Sequence, residues 1–282
     1  MLTILGLSFL WLVTAAVDPA SSHPYQDQRS VDSVGFKLFE TRLDQLELQL
    51  NKTNTLLEKI VTSLDVIQQQ TSQLAVIKTC NEATTTKVYQ LRLPLRASPI
   101  DVFCDMELLG GDWLVIQHRF DGSVDFNRSW AEYRDGFGVV GPASEFWLGL
   151  EAVFQLTRGG DYELLVQLRN ESGHDGQIRY ERFLVSGEDQ EYSLSFVGGF
   201  PGTMGAMLHG NLGEGFSTYD SDNDKWSDGN CAQKFGGGWW FYECNHTNLN
   251  GPFEKDINTG RGMYWKGWTN AATYSRMLIR RR

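Results

Sequence analysis

Four aspartates lie close together in the segment STYDSDNDKWSDGNC (217–231), namely Asp220, Asp222, Asp224 and Asp228. Carboxylates at this spacing repel one another unless water screens them or a cation lies among them. Calcium binds about six to eight oxygen ligands, usually with several carboxylates among them. The segment therefore predicts a calcium site, with a solvated acidic loop as the alternative.

An EF-hand does not explain this segment. In an EF-hand loop that begins at Asp220, the sixth residue would be glycine and the twelfth glutamate. The sequence has Lys225 and Cys231 at these positions. Any calcium site here must therefore have another geometry.

The next segment, CAQKFGGGWWFYEC (231–244), combines aromatic residues and glycines between two cysteines. Aromatic faces pack well against the C–H surfaces of sugars and against acetyl methyl groups, and backbone N–H groups can bind an acetyl oxygen. The segment is thus a candidate ligand pocket. The alternative is that its tryptophans belong to the core, and for Trp239 we favour the core because large aromatic side chains are mostly buried.

No catalytic motif accompanies these segments. The five histidines form no H-E-x-x-H pattern, and the sequence contains neither a G-x-S-x-G motif nor a P-loop. GFGVVG (136–141) follows a helix-like stretch, whereas a dinucleotide site requires a preceding strand. We therefore expect a protein that is not an enzyme.

Composition and the amino terminus indicate an extracellular protein. The formal net charge is −10 over 282 residues, which argues against binding to nucleic acid or to an anionic membrane. The apolar run 1–16 is typical of a signal peptide and too short to span a membrane comfortably. Four N-x-S/T sequons are candidate glycosylation sites: Asn51, Asn127, Asn170 and Asn245.

The four cysteines also fit an oxidising compartment, where an even number predicts disulfides. Three pairings are possible, and proximity in sequence favours Cys80 with Cys104 and Cys231 with Cys244. Zinc is the alternative, but neither pair has the close C-x-x-C spacing and the histidines of a zinc site.

The elements that must position these residues begin with a long helix. After a polar leader (17–34), a series in steps of three and four has apolar residues at Phe36, Phe39, Leu43, Leu46, Leu50, Leu57, Ile60, Leu64, Ile67 and Leu74, and only Thr53 and Thr71 interrupt it. We call these positions the seam. The spacing predicts a coiled coil over 35–78 that forms a homo-oligomer, with an amphipathic helix packed on its own domain as the alternative. Leucine and isoleucine at alternate seam positions favour a trimer or tetramer.

Beyond Cys80 the pattern changes to short strands, and then to a region rich in glycine, asparagine and aspartate from about residue 198. VYQLRL, DVFCDM, DWLVIQHRF, YELLVQLR and IRYERFLV read as strands. SWAEYRDGF (129–137) and residues 145–159 read as helices. We treat the terminal Arg280–Arg282 run as a solvated tail. The fold class is α+β, with an antiparallel sheet and a loop-rich region, preceded by the helical coiled coil.

Several blocks in this region resemble the fibrinogen C-terminal domain. FCDMELLGGDWLVIQHRFDGSVDF, SWAEYRDGFG, EFWLGLE and FSTYDSDNDKWSDGNCAQKFGGGWWFYECNHTNLNG follow the order of that family over residues 79–282. The resemblance implies a binding domain with a calcium site. It assigns Asp222 and Asp224 as carboxylate ligands and the backbone carbonyls of Trp226 and of Ser227 or Asp228 as further ligands, with Asp220 in the outer shell.

The resemblance carries over less well at the ligand pocket. In acetyl-binding lectins of this family an aromatic residue precedes the last cysteine, a histidine follows it, and the peptide bond into that cysteine is typically cis. The sequence keeps Phe235 but has Asn245 in place of the histidine and Thr259–Gly260 in place of an aromatic–alanine step. Together with Trp240, these residues form the expected pocket, which departs from the family pattern.

Two functions follow from these observations. The first is a secreted, oligomeric, lectin-like pattern-recognition protein of the innate-immunity type, in which clustering compensates for weak glycan binding. The second is a secreted signalling ligand that binds a cell-surface receptor through the fibrinogen-type domain. A coiled coil before such a domain resembles the layout of angiopoietin-like ligands and of insect fibrinogen-related proteins. The altered acetyl pocket favours the signalling ligand, whereas the resemblance to the insect proteins favours the lectin, toward which we lean slightly.

Overall fold

A computed structural model describes residues 28–74, 76–198, 202–244, 246–253, 261–269 and 271–282. The predicted signal peptide (1–16) lies outside these ranges, as does the first part of the predicted leader. The protein divides into two units, Met1–Ile67 and Gln68–Arg282. Within the described ranges, no helix combines the length and the apolar character needed to cross a membrane.

A single long helix, α1 (Gln28–Leu74), contains most of the predicted coiled-coil segment. It begins inside the segment that was expected to be a leader. Its seam side chains from Phe36 to Leu64 are exposed, and Leu50, for example, retains 59% of its accessible surface. A helix with a continuous exposed apolar seam is stabilised mainly by packing against a partner.

The second unit contains three helices and thirteen strands in its described part. The helices are α2 (Trp130–Asp135), α3 (Leu150–Thr157) and α4 (Cys231–Phe235). The strands are β1 (Val76–Ile77), β2 (Lys87–Leu91), β3 (Ile100–Asp105), β4 (Trp113–Arg119), β5 (Phe137–Gly138), β6 (Phe146–Trp147), β7 (Tyr162–Arg169), β8 (Asp175–Tyr180), β9 (Arg182–Val185), β10 (Leu194–Gly198), β11 (Thr247–Asn248), β12 (Tyr264–Trp265) and β13 (Tyr274–Arg281).

The main sheet runs in the order β1-β2-β3-β4-β13-β7-β8, with β6 paired to β4 and β5 paired to β6. All of its pairings are antiparallel except that between β1 and β2. Two small antiparallel sheets, β9 with β10 and β11 with β12, are separate from it. The predicted α+β class with an antiparallel sheet is therefore confirmed.

Both faces of the central strands are covered, since every residue of β4 is buried. One face contributes to the main core, which includes Ile116 and Val166. The other face forms a smaller cluster around Phe103, Trp113 and Leu278. Burial on both faces explains the run of consecutive apolar residues, WLVI, at the start of β4.

The carboxyl-terminal arginines are part of this sheet. Arg280 lies in β13, and its guanidinium forms an ion pair with the buried carboxylate of Glu163 at 2.6 Å. It also donates to the backbone oxygens of Leu109 and Gly111. The expectation of a solvated basic tail is therefore wrong for Arg280, because β13 lies between β4 and β7 and pairs with both.

A buried ion pair connects the sheet to the loop-rich region. Arg119, at the end of β4, lies 3.5 Å from Glu145, and both side chains are almost completely inaccessible to solvent. Glu145 accepts backbone N–H groups of the following turn, including those of Phe120 and Gly122. Arg119 donates to the carbonyl of Gly251 at 2.9 Å, so the turn, the strand and the loop-rich region share one polar network.

Candidate functional site

The acidic loop is anchored at its first aspartate. The Asp220 carboxylate accepts the backbone N–H of Trp130, at the first residue of α2, at 2.9 Å, and the hydroxyl of Thr218 at 2.7 Å. Helix α2 is itself stabilised by a capping box between Ser129 and Glu132. Asp220 thus joins the loop to α2 in the domain.

Asp224 organises the second half of the loop. Its Oδ1 accepts the N–H of Trp226 at 2.9 Å, and its Oδ2 accepts the N–H of Cys231 at 2.8 Å. Asp222 lies beside it and accepts the N–H of Asp224 at 3.3 Å. The two aspartates expected to bind calcium are therefore neighbours, and the half-buried Asp224 is held rigidly by backbone donors.

The charges of this pair are not balanced within the described part of the protein. Partial burial raises the pKa of Asp224, and the negative charge of Asp222 raises it further, although the N–H groups of Cys231 and Trp226 oppose the shift. Among the described residues, no lysine, arginine or histidine lies within ion-pair distance of Asp222, Asp224 or Asp228. A bound cation would supply the missing positive charge.

The donor set fits calcium better than a transition metal. No three acidic, histidine or cysteine side chains converge on one point in the described ranges, so two carboxylates must be completed by neutral oxygens. The Trp226 carbonyl accepts only a long turn hydrogen bond from Gly229, at 3.3 Å. A carbonyl with one such bond keeps a second lone pair for a hard cation. The carboxylate of Asp228 accepts the hydroxyl of Ser227.

The disulfides of the second unit join Cys80 to Cys104 and Cys231 to Cys244. Helix α4 begins at Cys231, and the side chain of Asn230 caps it by accepting the N–H of Gln233. Cys244 has a positive φ of 73°. The described residues contain no cis peptide bond, so the bond between Glu243 and Cys244 is trans and differs from that expected for an acetyl-binding lectin.

The two adjacent tryptophans of the disulfide loop are core residues. Trp239 and Trp240 have no exposed surface. Their indole N–H groups donate to the Thr247 hydroxyl and to the Tyr192 carbonyl, respectively. Burial of Trp239 agrees with our preference for the core. The expectation that Trp240 lines a ligand pocket is corrected, because its ring packs on other aromatic rings of the core and its polar atom is already bonded.

The rest of the expected pocket is only partly visible. Phe235 ends α4 and is half-buried, with the Lys234 ammonium 5.2 Å from its ring centroid. Asn245, Thr259 and Gly260 lie outside the described residues. Phe235 therefore lies within the disulfide loop, and the described residues do not form an acetyl pocket around it.

Two aromatic residues at the acidic loop are exposed, and no sequence pattern singles them out. Tyr219 retains 40% of its accessible surface and Tyr242 retains 41%. The carbonyl of Tyr219 accepts the side chain of Gln233, and the carbonyl of Tyr242 accepts the N–H of Lys225. Their exposure is what makes them candidate binding residues, and the sequence does not show which aromatic residues of such a segment are exposed.

Three candidate glycosylation sites lie in described segments. Asn51 and Asn127 are exposed, on α1 and in the loop before α2, respectively. Asn170 is half-buried, and its side-chain oxygen accepts the N–H groups of Ser172 and His174 in the turn between β7 and β8. The fourth site, Asn245, is not among the described residues.

Comparison with known families finds one that covers most of the second unit. The match is to the family described as fibrinogen beta and gamma chains, C-terminal globular domain, and it extends over residues 76–280. Among solved structures, the fibrinogen-like globe domain of human ANGPTL6 is 37% identical with a TM-score of 0.67, covering 74% of this protein and 96% of that one.

Curated relatives include angiopoietins. Rat angiopoietin-2 is 43% identical over 204 residues, which is 70% of this protein and 40% of the relative. Human angiopoietin-4 is 42% identical over 206 residues, again 70% of this protein and 40% of the relative. The matched part of this protein thus corresponds to less than half the length of these relatives.

Proposed function

The protein belongs to the family of C-terminal globular domains that is named after the fibrinogen beta and gamma chains, and we propose that it is a secreted, oligomeric ligand that binds a cell-surface receptor through this domain. The observation that carries the proposal is the 43% identity to an angiopoietin over the second unit. Angiopoietins are receptor-binding signalling ligands. The protein is extracellular, and the pairing of all four of its cysteines is consistent with that location.

The lectin interpretation has weaker support. Its pocket required Trp240 to be accessible, and that residue is buried. The peptide bond before Cys244 is trans, and three further pocket residues are not described. Glycan recognition through this pocket therefore rests on Phe235 alone among the described residues, whereas the receptor-ligand proposal rests on similarity along the whole domain.

We assign receptor binding to the surface around the acidic loop. Tyr219 and Tyr242 are exposed there, and tyrosine is enriched among the residues that dominate binding energy at protein interfaces. Both backbones are held by hydrogen bonds to the acidic loop or to α4. Ordered, exposed aromatic side chains lose little conformational freedom on binding.

Calcium has a structural role in this proposal. Asp222 and Asp224 would hold the ion with the carbonyls of Trp226 and of Ser227 or Asp228, and its charge would offset the repulsion between the two carboxylates. Because Asp224 is bonded to the N–H of Cys231, the ion would stabilise the start of the disulfide loop. The receptor surface would then depend on calcium without requiring direct contact with the ion.

Oligomerisation would occur through the exposed seam of α1. Its apolar side chains, such as Leu43, Leu50 and Leu57, are exposed in the single copy and would be buried between parallel copies of the helix. A trimer or tetramer would present several receptor-binding domains together. Clustering increases the apparent affinity for receptors at a cell surface without any new contact.

The experiment that tests the proposal compares two binding assays on the purified oligomer. We expect saturable binding to cultured cells that survives enzymatic removal of glycosaminoglycans, together with no signal on an array of unsulfated glycans. Binding to the array that N-acetylglucosamine displaces and that a chelator abolishes would instead support the lectin. Loss of cell binding after proteolysis of surface proteins would identify the receptor as a protein.

A further inference from the structure

A cavity of about 370 Å³ lies on the side of the second unit where β1, β2, α3 and β13 end. Four cationic side chains line it: Lys78, Arg92, Arg96 and Arg281. We call this cavity the basic pocket. These four cations come from three separate segments, which follow β1, follow β2 and end β13, and α3 with the residues after it completes the lining.

These cations are not neutralised by the described residues. None of the four takes part in an ion pair within 4.0 Å among the described side chains. The pKa of Asp135 is lowered by its hydrogen bond from Arg134 and, to a smaller extent, by the positive charge of Arg96. Arg96 itself forms no ion pair with that carboxylate, which is paired with Arg134.

Acidic residues of the adjoining segments have other partners. Glu82 accepts the backbone N–H of Lys78 at 3.1 Å. Glu151, on α3, accepts the amide of Gln155 and the hydroxyl of Tyr192. Asp161 lies 3.4 Å from Arg182. None of these carboxylates forms an ion pair with Lys78, Arg92, Arg96 or Arg281. The basic pocket thus groups four cations without an ion-pair partner among the described residues, although the protein as a whole has a formal charge of −10.

The floor of the basic pocket is apolar. Leu93, Leu156 and Tyr162 line it, and each is at least nine-tenths buried. The amide of Gln155 adds a polar group, but its oxygen already accepts the N–H of Leu95 at 2.8 Å. The pocket thus combines buried apolar side chains with exposed cationic ones.

The combination of apolar and cationic side chains indicates which class of ligand the basic pocket would bind. A single sulfate or phosphate would fill only a small part of a 370 Å³ cavity and would leave the apolar floor unused. A sugar ring places C–H faces on an apolar or aromatic surface, and sulfate groups on the same ring would reach the lysine and arginines. Guanidinium groups bind such oxyanions with paired hydrogen bonds.

We propose that the basic pocket binds a sulfated oligosaccharide segment of an extracellular glycosaminoglycan. The pocket is distinct from the acidic loop, and its residues take no part in the proposed receptor surface. Binding there would retain the secreted protein at the cell surface or matrix, and the oligomer would multiply a weak single-site affinity. Because the contacts are charge–charge contacts near the surface, salt would weaken them.

The test uses the full oligomeric protein and a heparin octasaccharide as the probe, with binding measured by surface plasmon resonance. A triple variant, Lys78→Gln, Arg92→Gln and Arg96→Gln, is expected to lose about tenfold or more in affinity, since it removes three exposed charge–charge contacts at once. The matched control, Lys52→Gln, Lys59→Gln and Lys266→Gln, has the same net charge and should bind as the unaltered protein does. All six side chains are exposed, so both variants should fold, which circular dichroism checks.

Two further arms identify the anion. The fully desulfated octasaccharide should not bind, and vesicles of phosphatidylcholine with phosphatidylserine should bind no better than vesicles of phosphatidylcholine alone. Equal loss of affinity in the two triple variants would overturn the proposal, because it would show binding to net charge without a site. Equal binding of the desulfated sugar, or binding of the anionic vesicles alone, would overturn it as well. Cell binding after removal of glycosaminoglycans tests the receptor proposal separately.

Discussion

The carboxylate of Asp224 accepts the backbone N–H of Cys231 at 2.8 Å, and this hydrogen bond joins the acidic loop to the start of the disulfide loop. Cys231 is both the first residue of α4 and a member of the disulfide with Cys244. Any change in the charge of the acidic loop is therefore transmitted to the start of α4. This relationship makes the calcium proposal testable through stability.

Calcium should raise the melting temperature of the protein, and Asp222→Asn should remove that increase. In chelator the variant should be as stable as the unaltered protein or slightly more so, because asparagine still accepts the N–H of Asp224 and no longer repels it. Differential scanning calorimetry in calcium and in chelator measures both effects. Asp189→Asn, on an exposed turn, is the control, and an unchanged calcium increment in Asp222→Asn would refute the site.

The exposed tyrosines should control receptor binding. Tyr219→Ala and Tyr242→Ala are each expected to weaken saturable cell binding by about tenfold or more, the effect typical of residues that dominate an interface. Val139→Ala removes an apolar side chain that is 71% exposed at a different loop and should have no effect. Equal binding by all three variants would place the receptor contact elsewhere.

The seam of α1 should determine the oligomeric state. Leu50→Asp and Leu57→Asp place charges on the seam and should dissociate the oligomer, because a carboxylate cannot be buried there without a partner. Leu48→Asp is the matched control, since Leu48 is equally apolar and exposed but lies off the seam. Sedimentation velocity distinguishes the outcomes, and dissociation by Leu48→Asp alone would contradict the assigned register.

The ion pair of Arg119 with Glu145 should be important for stability. Glu145→Ala leaves a buried arginine without its partner and removes the acceptor for several turn N–H groups, so we expect a loss of about 3–5 kcal/mol in the free energy of unfolding. Asp135→Ala breaks an exposed pair with Arg134 and should change that free energy by less than about 1 kcal/mol. Urea denaturation of both variants provides the comparison.

His118 should make stability depend on pH. Burial lowers the pKa of His118, and the nearby charge of Arg276 lowers it further. The unfolded protein therefore binds a proton near pH 6.5 while the folded protein does not, so the free energy of unfolding should fall as the pH drops below 6.5. The slope from this group is at most about 1.4 kcal/mol per pH unit.

Urea denaturation as a function of pH measures this dependence. His118→Gln should be less stable at neutral pH, since packing is lost, but its stability should vary less with pH. His174→Gln is the control, because His174 is exposed and should leave the profile unchanged. A profile that stays as steep in His118→Gln would assign the pH dependence to other groups.

Local patterns in the sequence predict much of this fold. The steps of three and four along α1 predict a helix, and β2, β3, β4 and β7 coincide closely with the predicted strands. The segment IRYERFLV divides into β8 and β9, because the backbone leaves the main sheet after Tyr180 and pairs with β10 instead. The local sequence does not indicate that the pairing partner changes between β8 and β9.

Features that depend on distant contacts could not be predicted. Strand β13 was taken as part of a loop-rich region ending in a basic tail, since nothing near Arg280 indicates that Glu163 lies opposite. The accessibility of Trp240 was also misjudged, because burial depends on aromatic rings brought in by other segments, such as Trp147 and Phe216. The basic pocket requires four separate segments to converge.

The position of β13 also determines when this domain can fold. It pairs with β4 and with β7, at Ser275 with Arg119 and at Tyr274 with Arg169, and thus joins two halves of the sheet that share no other pairing. During synthesis, the halves must wait for residues 274–281 to leave the ribosome before the sheet can close. Contacts between such distant residues slow folding, so the nascent domain exposes two open sheet edges until its last strand arrives.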